Sequence, residues 1–152
     1  HGAAAGVTLA TERIDDFRRR VNEFYDSLQL KNQELYLLPR ADVEIDDFSE
    51  INEELIDNLA KMEPFGNGNA EPILKIAKAT VLNVRRMGAE GQHVKLTLRD
   101  KNDVALQMLA FNAPEEFFRE VGDEVSAWFQ PTVNEWQRMR SVEGRLLHIS
   151  GV

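Results

Sequence analysis

Hydrophobic positions recur along this chain with two different periods, and the change falls near residue 72. In the first half the spacing is helical. With Thr11 as N-cap, Ile14, Phe17, Val21, Phe24, Tyr25 and Leu28 share one stripe of a helix, and Arg18, Arg19 and Arg20 turn to water. Residues 31–48 read as a connector in which the alternating Val43-Glu44-Ile45-Asp46 suggests a short strand. Ser49 then caps a second predicted helix with the stripe Ile51, Leu55, Leu59 and Met62. Its Glu50, Glu53, Glu54 and Asp57 lie on the exposed side, near the positive end of the helix dipole. Beyond residue 72 the period becomes two. Ile73 to Arg86, Gln92 to Asp100 and Val104 to Phe111 read as strands. A short helix follows, with Pro114 in its first turn, Phe117 and Val121 facing inward and Gly122 at its end. Val125 to Val133 and Val142 to Ile149 complete the set.

Three strands, a helix and two strands is the element order of an OB-fold barrel, in which the helix plugs the barrel between its third and fourth strands. The predicted fold class is therefore α+β and mainly β: a five-stranded OB-fold barrel with a capping helix, preceded by two amphipathic helices. Between the halves stands Glu63-Pro64-Phe65-Gly66-Asn67-Gly68-Asn69. Gly66 and Gly68 suit the positive-φ positions of two consecutive turns, with Phe65 as the one large apolar anchor. A phosphate-cradling loop would follow a strand, open a helix and carry a Lys, whereas this segment has the reverse order and no basic residue. It reads as a structural elbow built on Pro64, Phe65, Gly66, Gly68 and Asn69.

The formal charge of −8 argues against nucleic acid only until it is divided. Residues 1–72 carry 7 basic and 16 acidic side chains, net −9, while residues 73–152 carry 11 and 10, net +1. The acid belongs to the helical half. The second half has room for a basic face but no broad cationic field. With no Cys there is neither a disulfide framework nor a thiolate zinc site, which fits a reducing compartment. No apolar run approaches the ~20 residues of a membrane span, and the first residues lack a signal-peptide pattern. The expectation is a soluble, cytoplasmic protein without a membrane partner.

An OB-fold binds oligonucleotides on the face of its second and third strands and with two of its loops. Here those loops run from Arg85 to Gln92, with Arg85 and Arg86 adjacent, and from Asn134 to Ser141, where Trp136 stands among Arg138 and Arg140. On the second barrel strand Val94, Leu96 and Leu98 point to the core, so His93, Lys95, Thr97 and Arg99 share the other face. Cations that follow a backbone and flat groups that stack bases are what single-strand binding requires. Arg85, Arg86, His93, Lys95, Arg99, Trp136, Arg138 and Arg140 are accordingly the candidate nucleic-acid-binding residues. The competing reading makes Trp136 the cover of a barrel end and the polar sheet face ordinary surface. Trp128, out of phase with Val125, Ala127 and Phe129, either stacks a base or buries itself against the acidic helices. His148 reads as structural, the Arg18–Arg20 run as a solvated face, and the carboxylates of the second helix as surface rather than metal ligands. No Asp/His constellation with metal spacing and no Ser-His-acid or Cys arrangement supports catalysis.

Met62-Glu63-Pro64-Phe65-Gly66-Asn67-Gly68-Asn69 with Glu71-Pro72, followed by Gly88-x-x-Gly91-x-His93-x-Lys95-x-Thr97-Leu98, closely resembles the C-terminal part of the RecJ family of single-stranded-DNA-specific exonucleases. His1-Gly2-Ala3-Ala4-Ala5-Gly6 is similar to the second half of a motif loop in that family's DHH-associated domain. Ala70 departs from the family pattern, which usually has a second Pro there. The resemblance implies three parts: residues 1–35 as the end of the DHH-associated domain, 36–72 as an acidic helical connector ending in the elbow, and 73–152 as the OB-fold. It implies a 5′→3′ exonuclease of DNA repair and recombination, with Mn²⁺ or Mg²⁺ held by an N-terminal DHH domain that this stretch does not contain. No cofactor is then expected here, and His1 would face substrate phosphate. Single-stranded DNA is the implied partner, with single-strand-binding protein as a second. The alternative function is an OB-fold scaffold that binds proteins rather than DNA.

Overall fold

The structure, a computed structural model, describes residues 6–28, 39–136 and 139–152. It divides into two compact units, His1–Leu37 and Leu38–Val152. In the first, a 3-10 turn at Thr11–Arg13 leads into helix α1, Ile14–Ser27. Thr11 does not act as the expected N-cap: it lies inside the 3-10 turn, and α1 starts without a side-chain cap. The Arg run is paired along the helix, Arg18 with Asp15, Arg19 with Asp16 and Glu23, and Arg20 with Asp16. The hydrogen bond from Arg19 holds the Asp16 carboxyl below the usual carboxylate range, although it is open to water.

The second unit contains strand β1 (Val43–Ile45), helix α2 (Glu53–Ala60), and strands β2 (Leu74–Met87), β3 (His93–Arg99), β4 (Ala105–Ala110), β5 (Glu124–Trp136) and β6 (Met139–Gly151). The sheet order is β1-β2-β3-β4-β6-β5, and β2 also pairs with β5, which closes a five-stranded barrel with β1 added in parallel outside it. β4 and β6 run parallel, while the other barrel pairs are antiparallel. Two register shifts, between Ile76 and Ala79 and between Val81 and Asn83, bend the long β2 so that it serves β5 at one end and β3 at the other.

Alternation fills the interior. Val94, Leu96 and Leu98 of β3 and Val125, Ala127 and Phe129 of β5 are buried, as their parity predicts. Gly144 of β6 allows the closest approach inside the barrel: a Cβ there would overlap the Met108 sulfur and come within 2.9 Å of the Phe129 ring. Ile45, Phe48 and Ile51, which precede α2, belong to the same buried cluster, and the Phe48 ring meets Phe129 edge-on at 6.2 Å. The boundary expected at residue 72 therefore separates segments that share one core.

Three local expectations need correction. The helix between β4 and β5 is a single 3-10 turn, Glu115–Phe117; Phe117 is buried, but Val121 is 69% exposed. The connector already supplies Ile45, Phe48 and Ile51 to the interior, and this link adds Phe117, with Ala113 and Phe118 packed partly buried against the same cluster. Ser49 does not cap α2, because its N–H and hydroxyl both donate to the Asp47 carboxylate. Asn52, in the extended region, caps instead by accepting the Leu55 N–H at 2.9 Å. At the elbow only Gly68 takes positive φ, 83°. The bend is closed by reciprocal Gly66 and Asn69 backbone bonds of 2.8 and 3.1 Å, and the Asn69 amide donates to the Met62 and Pro64 carbonyls. Phe65 lines a small cleft with Ile56, Leu59, Pro72 and Pro131, so the anchor faces both α2 and β5. Just beyond, Arg145 binds Gln130 and Glu71, and Gln130 donates to the Glu71 carbonyl.

Trp128 takes neither of its expected roles. It is 7% exposed, beneath Lys75, whose ammonium lies 5.3 Å from the ring, and edge-on to His148 at 5.2 Å. Its cover is the neighbouring strands rather than the helices. Burial, with help from Arg119 and against Glu116, lowers the His148 pKa from its ordinary 6.5. The unfolded chain therefore binds this proton more readily than the folded one does. The contribution of His148 is complete above pH 6.5 and is lost as pH falls toward the depressed folded value. His148→Gln is expected to flatten the pH dependence of urea midpoints between about pH 7.5 and about pH 5. An unchanged slope would remove His148 from the acid response.

Candidate nucleic-acid interface

Register places the outward side chains of β2, β3 and β4 in rows. Asn83, Thr97 and Gln107 lie opposite one another, and so do Arg85, Lys95 and Leu109. The next row joins Met87 to His93 and, past the end of β4, to Phe111, whose ring stands edge-on to His93 at 5.2 Å. Asn83, Arg85, Lys95, Thr97 and Gln107 line an open polar groove of about 360 Å³. Lys95 also lines an adjoining groove with Met87, Leu109, Thr132, Asn134 and Glu143, so the surface continues from the sheet to the base of the β5–β6 hairpin.

The charges of this face are unevenly free. Lys95 donates to Glu143 at 2.9 Å, and that buried carboxylate also accepts from Asn134, so the pair adds little net field. Arg85 makes no ion pair among the described residues. Arg86 pairs with Glu115 and lies over Phe118, its guanidinium carbon 3.6 Å from the ring centre. Arg99 pairs with Asp103 at 3.3 Å and lines a separate cleft with Lys78, Asp46 and Glu124. His93 accepts the Asn112 N–H on Nδ1 at 3.0 Å, so the neutral ring carries its proton on Nε2.

Of the eight sequence-predicted residues, Arg85, His93 and Lys95 come together on this face, whereas Arg86, in register with the core residue Val94, turns to Glu115 and Phe118 instead. Arg140 is drawn to α2, 2.7 Å from Glu53 and 3.9 Å from Asp57. The backbone of Trp136 ends β5 opposite Met139, while Arg138 and His1 lie outside the described residues. The strands run further than periodicity suggested, β5 to Trp136 and β6 from Met139, so most of the expected second loop is strand. Sequence reasoning missed Asn83 and Gln107, which the register of β2 and β4 would have revealed, and Phe111, which it read only as the end of a strand. Among the described residues no three His, Asp or Glu side chains gather as metal ligands. No described helix is long and apolar enough to cross a membrane.

A closed five-stranded barrel with one parallel pair, carrying a polar and partly cationic groove on its β2–β4 face, defines an OB-fold domain. Residues 41–148 match the family model described as the RecJ OB domain. The chain belongs to that family. It is 30% identical over 141 residues to the single-stranded-DNA-specific exonuclease RecJ of Bacillus subtilis (strain 168), a match that takes in 92% of this chain and 18% of the relative. Two crystal structures of RecJ from Thermus thermophilus share its fold with TM-scores of 0.56. The one in complex with Mg²⁺ is 19% identical over 93% of this chain, and the one in complex with Mn²⁺ is 21% identical over 97%. The chain spans about one fifth of the length of these relatives.

Proposed function

We propose that this chain is the single-strand-guiding module of a RecJ-like 5′→3′ exonuclease, and that the β2–β4 face carries the DNA. The observation that supports this reading is the polar groove of Asn83, Arg85, Lys95, Thr97 and Gln107 on the face that OB-folds use for oligonucleotides. Arg85 supplies the free cation, Lys95 shares its ammonium between Glu143 and phosphate, and the amides and Thr97 hydrogen-bond to sugar and phosphate. Hydrolysis and the Mn²⁺ or Mg²⁺ it uses belong, in this proposal, to other parts of a longer polypeptide. The setting is DNA repair and recombination in the cytoplasm, with single-strand-binding protein as the neighbour on the same substrate.

A labelled oligo-dT, titrated by anisotropy at about 50 and about 200 mM salt, tests the assignment. Arg85→Gln is expected to weaken binding and to reduce the slope of log K against log salt by about 0.7, the share of one phosphate on a single strand. Lys95→Gln is combined with Glu143→Gln, so that no buried carboxylate is left unpaired, and lowers affinity further. Equal slopes for all variants would move the DNA off this face. Absence of any binding would favour the protein-interaction barrel.

A further inference from the structure

Phe111 is 62% exposed, and every other described aromatic ring of the second unit is buried or half-buried. Its position follows from alternation: Leu106, Met108 and Ala110 fill the core, so Gln107, Leu109 and then Phe111 point outward. The chain turns immediately after it. Asn112 takes a φ of 47°, its N–H donates to His93 Nδ1 at 3.0 Å, and the Ala113 N–H donates to the Gln92 carbonyl at 2.8 Å. These two bonds tie the residues after Phe111 to the start of β3, so the ring projects from a fixed backbone and meets the His93 edge.

A single exposed Phe is ordinary on a protein surface. Here two further facts bear on it. It stands one row from Arg85 and Lys95, and two residues of antiparallel strand advance only about 6.8 Å. A nucleotide whose phosphate meets those cations can reach the ring with its base. Apolar side chains share these two rows, Leu109 with Lys95 and Met87 with His93, and both line the Lys95 groove. Cations in one row, apolar side chains beside them and an exposed aromatic ring in the next row are the environments that phosphate, sugar and base require.

We infer that Phe111, backed by His93, is a stacking platform for an unpaired nucleobase. This rests on the proposed single-strand function and adds a residue that reads the base rather than the backbone. Phenylalanine offers no hydrogen bond to a base edge, so the platform is indifferent to sequence and rejects only paired bases, whose faces are covered within the duplex. His93, in T-shaped contact at 5.2 Å, positions the ring.

The test compares two ligands of equal length and charge, oligo-dT and the corresponding abasic oligonucleotide, on the full 152-residue chain. Phe111→Ala is expected to weaken oligo-dT binding by about 5- to 150-fold, the range given by loss of one stacked base, and to leave abasic binding and the salt slope unchanged. Phe111→Leu, which keeps apolar bulk without a ring, should be as weak as Phe111→Ala. Phe111→Trp should bind at least as well as wild type and show indole quenching by oligo-dT but not by the abasic strand. Wild-type affinity in Phe111→Ala, or equal losses for both ligands, would overturn the platform while Arg85→Gln still reports the cationic face. If wild type binds neither ligand, the platform and the single-strand function fall together.

Discussion

Phe48→Ala is expected to destabilise the barrel unit by about 3–5 kcal/mol, the usual cost of deleting a buried Phe side chain. Phe48 is 2% exposed and packs edge-on against Phe129 at the centre of the core. It comes from the acidic connector, not from a barrel strand. The cavity would open where Ile45, Ile51 and Phe129 converge, and the closed barrel strands leave little freedom to collapse into it. Urea unfolding followed by circular dichroism measures the loss, with Val43→Ala, exposed on the same segment, as a control expected within about 0.5 kcal/mol. A cost below about 1 kcal/mol for Phe48→Ala would show that the barrel closes without the connector. The expected large cost means that a chain beginning at residue 73 would lack part of its own interior.

Asp100→Ala is expected to cost about 3 kcal/mol, near the top of the range for a lost hydrogen bond to a charged group. Asp100 is 5% exposed, and its carboxylate accepts three backbone N–H groups: Phe48 at 2.6 Å on one oxygen, and Asn102 at 2.8 Å and Val104 at 2.9 Å on the other. The last two shape the β3–β4 turn, where Asp103 takes a φ of 62°. The Phe48 bond is buried, so losing the carboxylate strands a donor, and a bond to a charged group is worth about 1.5–3 kcal/mol. Turn N–H groups recover water and add less. Asp100→Asn should rescue only part, because its amide presents a donor where at least one donor already points. Phe48→Ala and Asp100→Ala loosen the same attachment, and the double variant should lose less than the sum of the two. Strict additivity would show that the carboxylate serves only the turn.

The barrel was legible because β3 and β4 bury alternate residues throughout, and β2 and β5 over part of their length, and a period of two survives without knowledge of any partner. Val94, Leu96 and Leu98 declared their face unaided. Where competing local bonds decide, the sequence was a poor guide. Ser49 has the right chemistry for a cap but is held by Asp47, so Asn52 takes the position. The predicted helix after Pro114 assumed that the barrel needed a plug, and the connector's Phe48 could not be placed in the core from periodicity alone. At the interface, residue type identified Arg85, His93 and Lys95. It could not show that Glu143 would reach Lys95 across 48 residues, that α2 would claim Arg140, or that Phe111 would remain outside. Those outcomes depend on register between distant strands, which one sequence does not encode in any local pattern.

The Lys95–Glu143 pair has a consequence for motion along the strand. On the proposed reading, a face in which one cation is free and its neighbour already shares a carboxylate cannot grip a polyanion hard. The Lys95 ammonium has three N–H donors, so an arriving phosphate shares it with Glu143, and the buried carboxylate stays paired whether the phosphate is present or gone. The energy profile for advancing one nucleotide is then shallow. On the same proposed reading, the surface works as a bearing over which a single strand is drawn.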